Sequence, residues 1–161
     1  MGLQKVNAEM MNVAEVGSVL QVKHEALTEE IISPDQNWRD AQTMSFTPRN
    51  VNSKILIMVN YAIAGKGAIT LIRDGSVISS APNGGDGYMF WQNVNQVAAN
   101  DNSERQTMSM VIEDQPNTAS LITYKTQILG YTEGGLQINP PPYRQGPAPV
   151  FSGMTIFEIK S

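Results

Sequence analysis

The sequence holds one histidine, His24, and no cysteine. A conventional zinc site cannot be built on so few nitrogen and sulfur ligands, and thiolate nucleophiles and disulfides are excluded with it. A Ser-His-Asp triad has Ser and Asp in supply, but no G-x-S-x-G places a nucleophile on a strained turn. His24 lies on the same strand face as Leu20 and Val22, so a structural role is expected. Residues 100–104, NDNSE, have the oxygen density of a calcium loop without the glycine and distal bidentate glutamate of an EF-hand.

Residues 81–91, APNGGDGYMFW, are the most suggestive loop. Their glycines could cradle an anion through backbone N–H groups, and Asp86 could ligate a cation. The Gly-Lys-Ser/Thr ending of a phosphate loop is missing, however, and no helical pattern follows. The expectation is a loop tip running into buried aromatics, with Tyr88, Phe90 and Trp91 offered as a stacking or docking platform. Glu29, Glu30 and Asp35 flank a turn at Pro34. Carboxylate pairs do acid–base work when burial splits their pKa values, and exposed loop carboxylates are expected instead. The PPPY run at 140–143 matches the PPxY pattern read by WW domains, but a loop pinned by Tyr143 is the simpler reading. No catalytic residue, metal or cofactor is expected.

The elements that must position these residues alternate with a period of two. Leu20, Val22, His24 and Ala26 share one strand face, and Met44 and Phe46 share another before Pro48. SKILIMVNYAIA, 53–64, is a near-continuous apolar run suited to a central strand. Beyond Gly65-Lys66-Gly67 comes AITLIRDGSVISS, where Asp74-Gly75 between β-formers signals a two-residue hairpin. Asp74 is therefore a turn residue. Met108, Met110 and Ile112 form one face, as do Ile122, Tyr124, Thr126 and Ile128, and LQIN and GMTIFEIK close the series. About eight or nine strands result, an all-β, jelly-roll-like antiparallel sandwich. Residues 1–16 precede it as an arm or short helix with Val6, Met10 and Val13 at helical spacing, marginal without a partner surface. Residues 17–161 are read as one sandwich domain.

Composition narrows the function. Net charge is −4 with no basic cluster, which disfavours nucleic acid. No apolar run is long enough to cross a bilayer, the N-terminus lacks a secretory h-region, and residue 6 is Val where myristoylation favours Ser or Thr. Charged residues make up only 16%, so the surface rests on Asn, Gln, Ser and Thr and suits packing against neighbours or glycans.

The phrases GSVLQV, SFTPRNVNSKILIMVNYAI, AITLIRDGSVI, IEDQPNTASLITYKTQI and MTIFEIKS occur in that order across residues 17–161. In this the chain resembles bacteriophage virion proteins, best represented in marine and cyanobacterial phages, whose β-sandwich domains occur in tail fibres and related surface proteins. EEIISPDQNWRDA departs from the Ser/Thr-rich run usual there, and the proline-rich loop is idiosyncratic. The resemblance implies a non-enzymatic role on the outer surface of the virion, after synthesis in the host cytoplasm, and a homotrimer. It brings over no catalytic residue.

The expected function is capsid decoration or cement, with Val6, Met10 and Val13 docking the arm on the major capsid protein. The alternative is a tail-fibre or head-fibre tip that binds a host protein or glycan through Tyr88, Trp91 and Tyr143. A carbohydrate-active enzyme would need two converging carboxylates about 5–10 Å apart, and no motif supplies them.

Overall fold

A computed structural model describes residues 17–78, 90–93, 106–131, 135–139 and 152–161. All regular structure among them is β: β1 Val19–Leu27, β2 Ile31–Ser33, β3 Arg39–Phe46, β4 Lys54–Arg73, β5 Ser76–Val77, β6 Phe90–Asn93, β7 Gln106–Asp114, β8 Ile122–Gly130, β9 Leu136–Ile138 and β10 Ser152–Ile159. The expected all-β antiparallel sandwich is the observed fold. The expected arm, 1–16, lies outside the described residues.

Two antiparallel sheets share one strand. In the first, β1 pairs with β10, β10 with the first half of β4, and β4 with β7. In the second, β3 pairs with β8 and β8 with the second half of β4, while β5 and β6 line the other edge of β4. The short pair β2–β9 attaches to β4 where it changes sheets.

The sequence reading divided β4 in two at Gly65-Lys66-Gly67. It is one strand of 20 residues, because those glycines bend the chain without ending its ladder. Gly65 has φ 92°, and a Cβ there would come within 2.0 Å of Gly135 O; only glycine lets β9 approach so closely. The Asp74-Gly75 hairpin is present as expected, with φ 47° and 87° at the two positions and Ile72 and Arg73 paired to Val77 and Ser76. The strands β2 and β6 were not anticipated, since both are short and lie beside turn-rich sequence.

Between the sheets, Ile55, Ile57, Val59, Tyr61 and Ile63 of β4 meet Met44, Phe46, Ile122, Tyr124 and Ile128 of the second sheet, joined by Met154 and Ile156 of β10. The faces expected for β3 and β8 are thus the core faces, and Met108, Met110 and Ile112 pack on them as expected. Tyr61 Oη lies 2.7 Å from Thr126 Oγ1 and donates to Gln42 Oε1 at 3.2 Å. These bonds satisfy a buried phenol at the centre of an apolar layer. Burial raises the Tyr61 pKa well above its ordinary value, against the hydrogen bond with Thr126.

β1 and β3 face one another across the open side, and side chains bridge them in place of a ladder. Gln21 Nε2 donates to Thr47 O at 2.8 Å, Lys23 Nζ to Ser45 O at 2.8 Å, and Gln42 Nε2 to Glu25 O at 2.7 Å. The sandwich is nearly closed into a barrel by this seam, which also shields two edge strands from pairing with other chains.

Candidate functional site

The seam dictates an inverted strand. On β1 the polar residues Gln21, Lys23 and Glu25 turn toward β3, so Val22, His24 and Ala26 turn to the outside. They share a face, as expected, but it is the outer one. Leu20 falls in the bulge between Val19 and Gln21. A strand normally buries its apolar side, and the reverse is the informative observation.

The registers carry this apolar side across the whole first sheet. Val22 stands opposite Phe157, Phe157 opposite Leu56, and Leu56 opposite Glu113; in the next row His24, Thr155, Met58 and Val111 follow one another. Val22 is 54% exposed and Val111 55% exposed, while Leu56, Met58 and Phe157 between them are half-buried. The outer face therefore carries an apolar band from β1 to β7, and no described residue forms a layer over it. Its charged groups sit at the rim, where Lys54 Nζ and Glu113 Oε1 pair at 2.8 Å.

One row further on, the band gives way to small and polar residues. Ala26, Gly153, Asn60 and Ser109 are cross-strand neighbours. A trough of about 550 Å³ lies above the first three, lined also by His24, Leu27, Thr28, Thr107 and Ser152. His24 Nδ1 and Thr155 Oγ1 are 2.9 Å apart, and Ser109 Oγ donates to Asn60 Oδ1.

Two carboxylates are withdrawn from solvent elsewhere, and both are structural. Glu158 is fully buried and accepts from Arg49 N at 2.8 Å, Asn50 N at 3.0 Å, Ser53 Oγ at 2.7 Å and Gln21 Nε2 at 2.7 Å. Burial would raise its pKa, but these hydrogen bonds outweigh burial and hold the carboxyl below its ordinary range. Three of these donors pin the turn before β4 to β10, and Gln21 adds β1 to the same carboxylate. Asp114 accepts from Arg73 Nη1 at 2.6 and 2.7 Å and from Tyr124 Oη at 2.7 Å, which ties the end of β7 to the second sheet. Burial, with Asp114 beside it, pushes the Tyr124 pKa far up and keeps the phenol a donor. Among the described residues the partners of both carboxylates are donors, not a second carboxylate as glycoside hydrolysis would require.

Asp35 belongs to its own loop. Asn37 Nδ2 donates to it at 3.0 Å and Arg39 Nη2 at 3.2 Å, and these contacts lower its pKa, Asn37 most strongly. Asp74, the expected turn residue, also receives Thr123 N on its Oδ1 at 2.8 Å, so the hairpin tip anchors the start of β8. No group of three His, Asp or Glu able to hold a metal occurs among the described residues.

Of the residues singled out for contact, Phe90 and Trp91 lie in β6, opposite Ile69 and Ala68 of β4. Val6, Met10, Val13, Tyr88 and Tyr143 lie outside the described residues. The outer band was missed, although its signal is in the sequence. A half-exposed strand alternates, whereas residues 55–59 are apolar at every position, and such runs require something apolar on both faces.

No protein-family model matches the chain, and no curated protein matches it. Among solved structures it is similar to dimeric latent PorU from Porphyromonas gingivalis, with a TM-score of 0.49 and 15% identity over 91% of this chain and 13% of that one. It is also similar to the insecticidal delta-endotoxin Cry8Ea1 from Bacillus thuringiensis, with a TM-score of 0.45 and 13% identity over 81% of this chain and 19% of the other. The chain thus spans less than a fifth of either protein. Neither is a phage protein, and at these identities and TM-scores no activity passes from them to this chain.

Proposed function

We propose that this chain is a non-enzymatic structural protein of a bacteriophage particle, a decoration or cement subunit that docks on its neighbours through the outer face of the first sheet. The observation that carries the reading is the apolar band Val22–Phe157–Leu56 with Met58 and Val111, over which no described residue forms a layer, beginning on a strand that turns its polar side inward. Apolar surface continuous across strands and rimmed by charge is often a functional contact. The order of strand phrases in the sequence supports the virion setting.

Size decides what kind of docking this is. Four strands spaced about 4.8 Å apart and two to three outward rows give a patch of roughly 300 Å². A stable one-to-one complex buries roughly 800 Å² on each partner. One face alone is too small, so affinity must come from further contacts and from many copies on a repeating surface. A particle shell offers such repetition. The N-terminal segment, with Val6, Met10 and Val13, is the second attachment point, and a homotrimer would present three faces together.

The test mixes the full chain with particles lacking it and maps the added density by electron microscopy, together with the heat resistance of the capsids. Regular density at capsomer junctions with raised resistance is the expected result. Density confined to tail or fibres would replace cement by receptor recognition, and unbound particles would overturn both.

A further inference from the structure

The trough beside the apolar band has a chemistry of its own. Its floor is nearly bare backbone, because Ala26 and Gly153 are neighbours across β1 and β10 and Asn60 follows on β4. A Cβ on Gly153 would lie 2.7 Å from Glu25 O and 3.1 Å from His24 Cε1. The imidazole therefore stands over the glycine as a wall, with Nδ1 engaged by Thr155.

On the floor, the side chain of Asn60 accepts on its carbonyl oxygen from Ser109. Thr28 and Thr107 add exposed hydroxyls. No Lys, Arg, Asp or Glu lines the trough among the described residues, and its volume of about 550 Å³ is that of a ligand site.

The geometry points to a binding site for a neutral oligosaccharide, laid across the strands over Gly153 between His24 and Thr107 with Asn60 beneath it. An uncharged polyol needs flat surface for its C–H faces and uncharged donors and acceptors for its hydroxyls, and the trough supplies both. A charged ligand would find no counter-charge among the described lining residues. A purely apolar one would take the polar side chains of Asn60, Thr28 and Thr107 out of water without replacing their hydrogen bonds, a cost for each group. An extended peptide is captured through its backbone at a sheet edge, whereas this trough crosses a face. The site adjoins the docking band and shares with it the row of His24, so its sugar binding is tested on the isolated chain.

The test uses the isolated full chain with maltohexaose, cellohexaose and chitohexaose as neutral probes and a heparin hexasaccharide as the anionic control. Binding is read by titration calorimetry and by amide chemical-shift mapping. At least one neutral probe should bind, with shifts centred on His24, Asn60 and Thr107. Ala26→Phe, which fills the floor from an exposed position, should weaken binding at least about tenfold, and Asn60→Ala about fivefold, the loss of one hydrogen bond. Thr43→Phe on the opposite sheet should leave binding unchanged. Should Ala26→Phe disturb the fold by circular dichroism, the shift map and Asn60→Ala decide. No neutral binding at about 10 mM, a weak-affinity ceiling, would overturn the proposal. So would shifts elsewhere, preference for the anion, or wild-type affinity in both trough variants.

Discussion

The outer faces of the two sheets are built from the same alternation and end in opposite conditions. On the second sheet, Lys125 and Gln127 of β8 both reach Asp40, at 3.0 and 2.7 Å, with Thr43 and Ser45 exposed beside them. Around Asp40 that face is polar and paired within itself, while Ile72 and Ala68 of β4 beside it are buried; the contacts lower the Asp40 pKa, Gln127 most strongly. On the first sheet the corresponding positions are Val22, Leu56, Met58, Val111 and Phe157. Among the described residues, the first sheet turns an apolar band outward and the surroundings of Asp40 on the second do not. The difference originates in the seam, because β1 must turn Gln21 and Lys23 toward β3 to close the sandwich, and its apolar residues have nowhere to go but out.

Breaking the contrast outright means charging the apolar band. Val22→Asp together with Val111→Asp should abolish particle occupancy, because an ionised carboxylate left unpaired in an apolar contact is strongly unfavourable. Both positions are half-exposed, so the melting temperature of the free protein should hold. Thr43→Asp on the second sheet should alter neither occupancy nor melting.

The support beneath both faces is next in size. Glu158→Ala leaves Arg49 N, Asn50 N and Ser53 Oγ without their acceptor, and should cost about 3 kcal/mol, or roughly 6–12 °C in melting temperature. Because the folded carboxyl titrates below its ordinary value of 4.5, the unfolded chain takes up the proton first. The stabilisation from Glu158 is then complete above about pH 4.5 and declines as pH falls through the lowered folded value. Urea midpoints across pH 3–6 should show this acid branch shrinking in Glu158→Gln.

Smaller still is the hairpin that anchors β8. Gly75→Ala, at φ 87°, should cost about 1 kcal/mol by denaturant unfolding. The smallest effect belongs to the polar face itself. Asp40→Ala removes an exposed ion pair and should shift stability by less than about 1 kcal/mol, a shift further reduced by salt.

Much of this was legible from the sequence. The core faces of β3, β7 and β8 follow from period two, and the Asp74-Gly75 turn follows from the need for two positive φ angles. What could not be read is which side of β1 is inside. Alternation gives two faces and no sign, and the sign is set by a non-local seam to Thr47 and Ser45. The join within β4 was hidden for a related reason. Glycines end strands in most contexts, and here close approach by β9 makes them a bend. Both candidate sites grew from these two omissions, since neither the band nor the trough exists until β1, β10 and β4 are placed side by side.

The absence of cysteine makes the most direct test a clean one. Val22→Cys and Thr43→Cys each introduce a unique thiol on one of the two faces, and the rate of thiol labelling can be compared in free protein and in protein bound to particles. Docking through the first sheet predicts that binding strongly slows labelling at residue 22 and leaves residue 43 unchanged. Equal rates at residue 22 in both states, or protection at residue 43 alone, would contradict it.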